Sequence, residues 1–416
     1  MTQNKRNYTI PFIVVTSLFF LWALAHNLNP ILIPHLKRAC ALSDMGSALI
    51  DSAFFIAYFI MAIPAGMIMQ RFGYKLGIIT GLLLFSCGAF LFYPAASAIS
   101  FPLFLVALFI IASGLTFLET AANPYITILG KAETATLRLN FAQSFNGLGA
   151  TIAPLLGGLF ILSGKQLSEA DIVNMSELQR HTFYLEEAAT VKIPYVIIGF
   201  VVLLVAIIVY KMHLPEIEEE QIEKQKSNGK SVLNHSHLTW GIIAQFFYVG
   251  AQVGVGSFFI RFLGSTAAID EQSAAYYLSV ALLMFMIGRF IGTVLMNYIA
   301  ANKLLALYSV INMLLLLIAV LAEGKPSVFC LMFVEFFMSI MFPTIFSLSI
   351  INLGKQTKLA SSYIIMAIAG GAVIPLIMGR ISDISSIQWA YMVPLACFIP
   401  VLFFGLKGYQ VKTSQQ

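Results

Sequence analysis

The sequence predicts an all-α membrane protein of twelve transmembrane helices in two six-helix bundles, and three observations carry that prediction. First, the 416 residues are 59% hydrophobic and only 10% charged, with a mean hydropathy of +0.88, where a soluble globular chain carries about 25% charged residues. Second, twelve apolar stretches are separated by turn or charge signals, each long enough for a membrane helix, which needs about 20 apolar residues. Third, Gly/Pro motifs of the first half return in the second half in the same order. A chain with so little polar surface is a polytopic membrane protein.

Span 1 is the run 9–35. The polar segment Met1–Tyr8 precedes it, and the run is too long for a signal-peptide core and lacks a cleavage site, so it is read as a membrane helix. Spans 2 and 3 are 45–70 and 75–96, parted by a short turn with glycine at both ends and bases between. Spans 4 (100–129) and 5 (137–163) flank a stretch bounded by Lys131 and Arg138. Span 6 (191–211) follows the long, mixed-charge loop Gly164–Val191. The segment His213–His237 holds the charge-rich run from Glu216 to Lys230 and reads as a solvated linker. Spans 7 to 12 are 238–262, 273–299, 303–323, 327–353, 358–380 and 387–408. The expected domains are therefore a first bundle 1–212, a cytoplasmic linker 213–237 and a second bundle 238–416.

Loop charge sets the expected orientation. With the N-terminus inside, 15 Lys and Arg fall in the inner set and 8 in the outer set, with Arg289 left inside a span. That bias predicts a cytoplasmic N-terminus, and an even span count puts the C-terminus on the same side. The formal net charge of +5 is small, and no basic cluster points to nucleic acid. Cys40, Cys87, Cys330 and Cys397 have no paired spacing, so no disulfide framework, metal site or cofactor is expected.

The two halves read as a duplication. Gly149-Ala150-Thr151-Ile152-Ala153-Pro154 in span 5 resembles Gly370-Gly371-Ala372-Val373-Ile374-Pro375 in span 11, an offset of 221 residues. Asn123-Pro124-Tyr125-Ile126 in span 4 resembles Phe342-Pro343-Thr344-Ile345 in span 10, an offset of 219. Gly/Pro-interrupted helices at matching places point to a secondary transporter with a midplane site between the halves.

Glu119 is the strongest single functional signal. It lies within Leu118-Glu119-Thr120-Ala121-Ala122-Asn123-Pro124 of span 4, and a carboxylate at membrane depth costs roughly 2.5–3.5 kcal/mol. Such a residue faces a wet cavity and handles a substrate, an ion or a proton; the alternative is a protonated, hydrogen-bonded packing residue. Asn123 and Pro124 also loosen the helix.

The turn Gly66-Met67-Ile68-Met69-Gln70-Arg71-Phe72-Gly73-Tyr74-Lys75 resembles the signature loop of the major facilitator superfamily, its glycines permitting close packing and a tight turn, its cations facing the cytoplasm and acidic partners. Gln70 stands where that family often has Asp, and Tyr74 where it often has a base. Gly288-Arg289-Phe290-Ile291-Gly292 resembles the weaker copy in the second half, and Arg289 is read as structural. The resemblance narrows at Phe20-Leu21-Trp22-Ala23-Leu24-Ala25, Asn27-Leu28-Asn29, Leu118–Pro124, Arg138–Asn146, Tyr248–Gln252 and Pro343–Leu348. These runs look like the fucose/glucose/galactose branch of proton-coupled sugar symporters, and the likeness covers nearly the whole chain.

That resemblance implies a fold of inverted three-helix repeats related by a pseudo-two-fold axis. It also implies an alternating-access carrier that brings in L-fucose or a related hexose with a proton. Glu119 matches the family's coupling carboxylate, and Gln143 and Asn146 match amides facing the central cavity. Sugar hydroxyls need acceptors and amide partners, which Asn27, Gln143, Asn146 and Gln252 supply. Trp22, Tyr58, Phe54 and Tyr363 are candidate ring platforms, with ordinary helix packing as the alternative. The implied partners are a sugar, a proton and the lipid bilayer of a bacterial inner membrane, with a monomeric protein.

The chain departs from that family after Asn27-Leu28-Asn29, where the fucose permeases carry an acid and this chain has Pro30. His26 takes a position often held by an amide, and Asp51 and Glu335 are additional acids within spans. Pro30 and Asp51 each lie about six residues from the outer ends of antiparallel spans, roughly 9 Å deep. Asp51, with His26, is therefore expected to replace the lost acid as an outer proton relay; the alternative is a solvated Asp51. Pro30 is also expected to bend span 1.

Other readings remain open. The carrier takes glucose, galactose, an amino sugar or a sugar alcohol, with sodium coupling or facilitated diffusion. A membrane sugar sensor would need a signalling domain, for which the linker is too short. An enzyme is not expected, because no nucleophile–base pair stands out and the six histidines lack convincing partners. No phosphate-binding Gly-x-x-x-x-Gly-Lys-Ser/Thr loop is present for an ATP-driven pump.

Overall fold

The computed structural model describes residues 9–28, 32, 35–36, 39–40, 42, 44–160, 175–212, 214 and 232–411, excluding the side chains of 44–48, 51–52, 154–155, 157–160 and 271–272. Among the described residues, all regular structure is helical. Ten helices among the described residues, one of them covering both spans 2 and 3, are long and apolar enough to cross a membrane. Span 5 forms as the more polar helix Ala135–Phe160. One apolar core runs through the protein, while Phe59, Phe200, Leu204 and Leu314 stand exposed on its outside. A surface of that kind is stable only against hydrocarbon.

Several boundaries differ from the sequence reading. Span 1 is helical over Thr9–Asn27, and Pro30 lies outside the described residues. Spans 2 and 3 form one element, Asp44–Ser97, interrupted at Gly73 with φ 84° and ψ 169°, a conformation that a Cβ would strain. Among the described residues the turn cations form no ion pair with an acid. Lys75 Nζ instead donates to the carbonyl oxygens of Tyr210 and Met212, each at 2.8 Å, and so satisfies the end of span 6, whose last carbonyls have no intrahelical donor. Span 7 begins at Ser236, inside the expected linker.

The loop before span 6 contains an unforeseen helix, Glu177–Ala189. Its start was written in the sequence as Ser176-Glu177-Leu178-Gln179, which closes a capping box. This helix also corrects the expectation of unpartnered histidines. Its buried Glu187 places Oε1 3.3 Å from Nδ1 of buried His35. In addition, His237 Nε2 lies 3.0 Å from the Ile351 carbonyl oxygen, and His235 Nε2 lies 3.0 Å from Gln356 Oε1.

The packing repeats between the halves as the motifs do. Gly149 sets span 5 against span 1, where an added Cβ would stand 2.6 Å from the Phe20 carbonyl oxygen. Gly370 sets span 11 against span 7, where a Cβ would stand 2.0 Å from the Phe246 carbonyl oxygen. The halves then meet at the end that holds the Gly66–Lys75 turn. Ser347 Oγ donates to Thr136 Oγ1 at 2.9 Å, and Asn140 Nδ2 donates to Thr344 Oγ1 at 3.2 Å. Lys358 Nζ sits 4.9 Å from the Tyr74 ring centroid. Each contact pairs one half with the other, and together they draw the two bundles against each other at that end.

Candidate functional site

The site grows out of span 4 (Phe101–Ile128), which stays helical through Pro124. Half-buried Glu119 accepts a hydrogen bond from the Tyr58 hydroxyl of span 2 at 2.7 Å. One turn on, Asn123 Nδ2 donates to the Glu119 carbonyl oxygen at 2.9 Å. That bond turns the other end of the amide outward, and Asn123 Oδ1 accepts from Gln143 Nε2 of span 5 at 3.1 Å. Gln143 is 4% exposed.

From there the line crosses to the second half. Arg289 of span 8 (Glu271–Leu295) donates through Nη1 to the Gln143 carbonyl oxygen and, at 3.2 Å, to Asn146 Oδ1. Its Nε donates to the Ser339 carbonyl oxygen of span 10 at 3.0 Å, and its guanidinium lies 4.7 Å from the Phe285 ring centroid. Arg289 is 5% exposed and forms no ion pair among the described residues. Span 10 explains the bond to Ser339. It runs Lys325–Met338 and then Met341–Ser349, with a break between. Pro343 has no N–H to return to the Ser339 carbonyl, so a side chain must satisfy it. The Met338 carbonyl accepts from the Tyr248 hydroxyl at 3.0 Å.

The structure thus joins Glu119, Gln143 and Asn146, and it adds Tyr58, Asn123 and Arg289. The sequence reading had taken Tyr58 as a ring platform and Arg289 as structural. A signal for Arg289 was present: it is a lone cation inside an apolar span, a position that normally implies a partner.

The other expected residues are placed differently. Asn27 Nδ2 donates to the Ala23 carbonyl oxygen of its own helix at 2.8 Å, leaving Oδ1 available. Gln252 is half-buried and makes no hydrogen bond among the described residues. Trp22 is 1% exposed and packs on Phe19 with ring centroids 4.2 Å apart, so it forms part of the packed wall and presents no open ring face. Phe54 and Tyr58 are likewise buried, and Tyr363 is half-buried. His26 is exposed and meets the Phe54 ring edge-on at 5.6 Å. Asp51 is in the span 2 helix, but its side chain lies outside the described residues. Glu335 is 3% exposed.

Chemically, the arrangement offers one carboxyl that can hold or release a proton, several amides for hydroxyl groups and a cation bridging the halves. Among the described residues there is no group of three or more His, Cys, Asp or Glu suited to a metal ion.

Comparison with known proteins gives the same architecture. The family model of the Major Facilitator Superfamily matches residues 12–367. The L-fucose-proton symporter of Escherichia coli is 42% identical over 419 residues, covering 99% of this chain and 96% of that protein. A putative glucose/galactose transporter of Helicobacter pylori is 42% identical over 413 residues, covering 98% of this chain and 99% of that one. A crystal structure of a fucose transporter in the outward conformation aligns with a TM-score of 0.90 at 42% identity, covering 98% of this chain and 100% of that chain. The proton:xylose symporter aligns with a TM-score of 0.71 at 14% identity, a likeness of fold.

Proposed function

For this chain, which belongs to the Major Facilitator Superfamily and within it to the family of L-fucose–proton symporters and glucose/galactose transporters, we propose proton-coupled import of L-fucose or a closely related hexose by alternating access. The observation that carries this reading is the series of hydrogen bonds Tyr58–Glu119–Asn123–Gln143–Arg289–Asn146, which passes through the main-chain carbonyls of Glu119 and Gln143 and sets the residue that bears the membrane carboxyl beside sugar-competent amides and both bundles.

Glu119 is the proton-coupling carboxyl. Gln143, Asn146, Asn27 and Gln252 hold sugar hydroxyls, with Glu119 as a further acceptor. Trp22 shapes the wall and meets sugar only after the bundles move. Asp51 and His26 form an outer relay, a role that fails if Asp51→Asn preserves proton-driven accumulation. The bundles 1–212 and 238–416 move as units about the 213–237 linker. The protein works as a monomer in a bacterial inner membrane with both termini in the cytoplasm.

In that orientation the Gly66–Lys75 turn is cytoplasmic. The contacts Thr136–Ser347, Asn140–Thr344 and Tyr74–Lys358 then hold the inner side closed while the outer side is loaded. Individual hydrogen bonds are worth about 0.5–1.5 kcal/mol net, small enough for this closure to reverse in each cycle. Sugar and proton together stabilise the other arrangement by their differential binding.

The test is uptake of labelled L-fucose into proteoliposomes with and without an imposed proton gradient, wild type beside Glu119→Gln. Gradient-driven accumulation that Glu119→Gln abolishes is expected. Absence of L-fucose uptake at every pH rejects that substrate. A second reading, a glucose or galactose carrier coupled to sodium, is favoured by Pro30 in the place of the usual acid and by the equal 42% identity to both kinds of relative. It predicts uptake of those sugars driven by a sodium gradient.

A further inference from the structure

We propose that Glu335 is a second proton-carrying carboxyl of the transport cycle, housed in the second bundle of a chain that has Pro30 where its family carries a first-bundle acid. This rests on the proton-coupled reading above and deepens it.

The first argument is the contrast with the other buried acids. Glu119 has the Tyr58 hydroxyl, and Glu187 has His35. Glu335 is 3% exposed and, among the described residues, has neither a hydrogen bond nor an ion pair. A permanently charged carboxylate in that state is strongly disfavoured, and buried charges are ordinarily paired. An acid kept only for structure would have a fixed donor. Without one, a change of protonation at Glu335 breaks no standing hydrogen bond.

The neighbours leave it free for that role. Span 10 packs on spans 7, 8 and 9. Tyr248 of span 7 and Tyr391 at the start of span 12 lie close enough to feel a charge on Glu335, with Arg289 of span 8 acting on Tyr248 and Arg261 of span 7 on Tyr391, while Tyr308 of span 9 packs on the same stretch of span 10. Tyr248 is committed to the Met338 carbonyl and Tyr391 to the Val255 carbonyl, the latter at 3.1 Å. Arg289 is committed to Ser339, Gln143 and Asn146. The Tyr308 ring stands edge-on to Phe337. The buried cation Arg289 is thus already committed to other acceptors, and no ion pair to Glu335 forms among the described residues.

The position also couples Glu335 to the first bundle. Arg289 grips the Ser339 carbonyl, four residues and so one helical turn from Glu335. The same guanidinium holds Gln143, which is bonded to Asn123 of the Glu119 line. Charge appearing at Glu335 acts on Arg289 and through it on the sugar amides. The span 10 break at Ser339–Ile340 lies at the same place and lets this segment tilt. The step itself is a proton transfer only. An O–H bond forms on one carboxyl oxygen when the site faces outside and breaks when it faces inside, with no electron transfer.

The deciding experiment measures protons and sugar taken up together in proteoliposomes, for wild type, Glu335→Gln and Glu335→Asp. Sugar counterflow, which needs no net proton movement, reports whether each variant is folded. Glu335→Gln is expected to lower the proton:sugar ratio by about one, and Glu335→Asp to restore it. An unchanged ratio in a Glu335→Gln protein that retains counterflow overturns the role of Glu335 and leaves proton coupling standing. Absence of proton-linked uptake in wild type overturns both. Should Glu335→Gln not fold, carbodiimide modification of the wild-type protein decides, since that reagent attacks protonated carboxyls in apolar surroundings. Modification of Glu335 that rises on acidification supports the proposal, and modification independent of pH refutes it.

Discussion

Spans 4 and 10 occupy equivalent places in the two bundles and carry the same proline, yet span 4 runs unbroken through Pro124 while span 10 stops at Met338 and restarts at Met341. Spans 5 and 11 differ in the same sense. Span 5 is one helix, and span 11 is interrupted by a 3₁₀ turn at Ala367–Ala369. In the first bundle, side chains from the same helix support the backbone near the proline, as Asn123 does for the Glu119 carbonyl. In the second, other spans supply the support, through Arg289 and Tyr248. Unpaired buried polar atoms, in contrast, occur in both bundles among the described residues, as Thr16 Oγ1 and Asn140 Oδ1 show in the first. Both amide atoms of buried Gln245 and of buried Asn312 lack partners among the described residues, and both residues belong to the second bundle. The second bundle is therefore the one with the jointed helices. A proline does not dictate a break: span 4 stays helical through Pro124, while the break in span 10 coincides with capture of the freed Ser339 carbonyl by Arg289.

The sharpest way to break that comparison is Glu119→Gln. It should abolish gradient-driven accumulation, a loss of at least about 10- to 100-fold by a typical coupling free energy, while counterflow persists. Wild-type accumulation in that variant would move coupling out of the first bundle.

Next in size is Arg289→Ala, which leaves the Ser339 and Gln143 carbonyls and the side-chain oxygens of Gln143 and Asn146 without this donor. At about 1.5–3 kcal/mol per bond to a charged group, a clear drop in Tm in detergent is expected. Arg289→Lys should recover only part of it, because an ammonium lacks the planar fork. A Tm equal to wild type for Arg289→Ala would show that span 10 supports its own break.

The paired glycines sharpen the comparison directly. Gly370→Ala and Gly149→Ala each drive a Cβ into a neighbouring carbonyl oxygen, and overpacking costs about 1–3 kcal/mol. Gly370 should be the worse, since its contact is 2.0 Å against 2.6 Å for Gly149. Equal Tm losses would mean that the jointed bundle relaxes around the extra methyl group.

Smaller effects follow from single bonds. Tyr58→Phe removes the donor to Glu119 and should lower initial uptake several-fold, consistent with about 1 kcal/mol. Ser347→Ala loses one contact across the inner closure and should raise thiol-reagent access from that side by a factor of a few, at about 0.5–1 kcal/mol.

The sequence by itself determined the class of this protein and the depth of its key acid. Hydropathy is a local, one-dimensional property, so the apolar runs located the spans, and the carboxyl of Glu119 stood out against them. The Gly/Pro repeats, read 219 and 221 residues apart, placed the duplication that the Gly149 and Gly370 contacts repeat. The helix Glu177–Ala189 was legible too, through its capping box, but was passed over because its surroundings were polar. The tertiary structure alone decided partners. It tied Tyr58 to Glu119, sent Arg289 across the interface, buried Trp22 in the wall and left Glu335 with no donor among the described residues. In a helix that is apolar all round, the 3.6-residue period carries little information about facing direction. In hydrocarbon each polar side chain must instead find its partner on a neighbouring span, and which span that is depends on how the bundles pack.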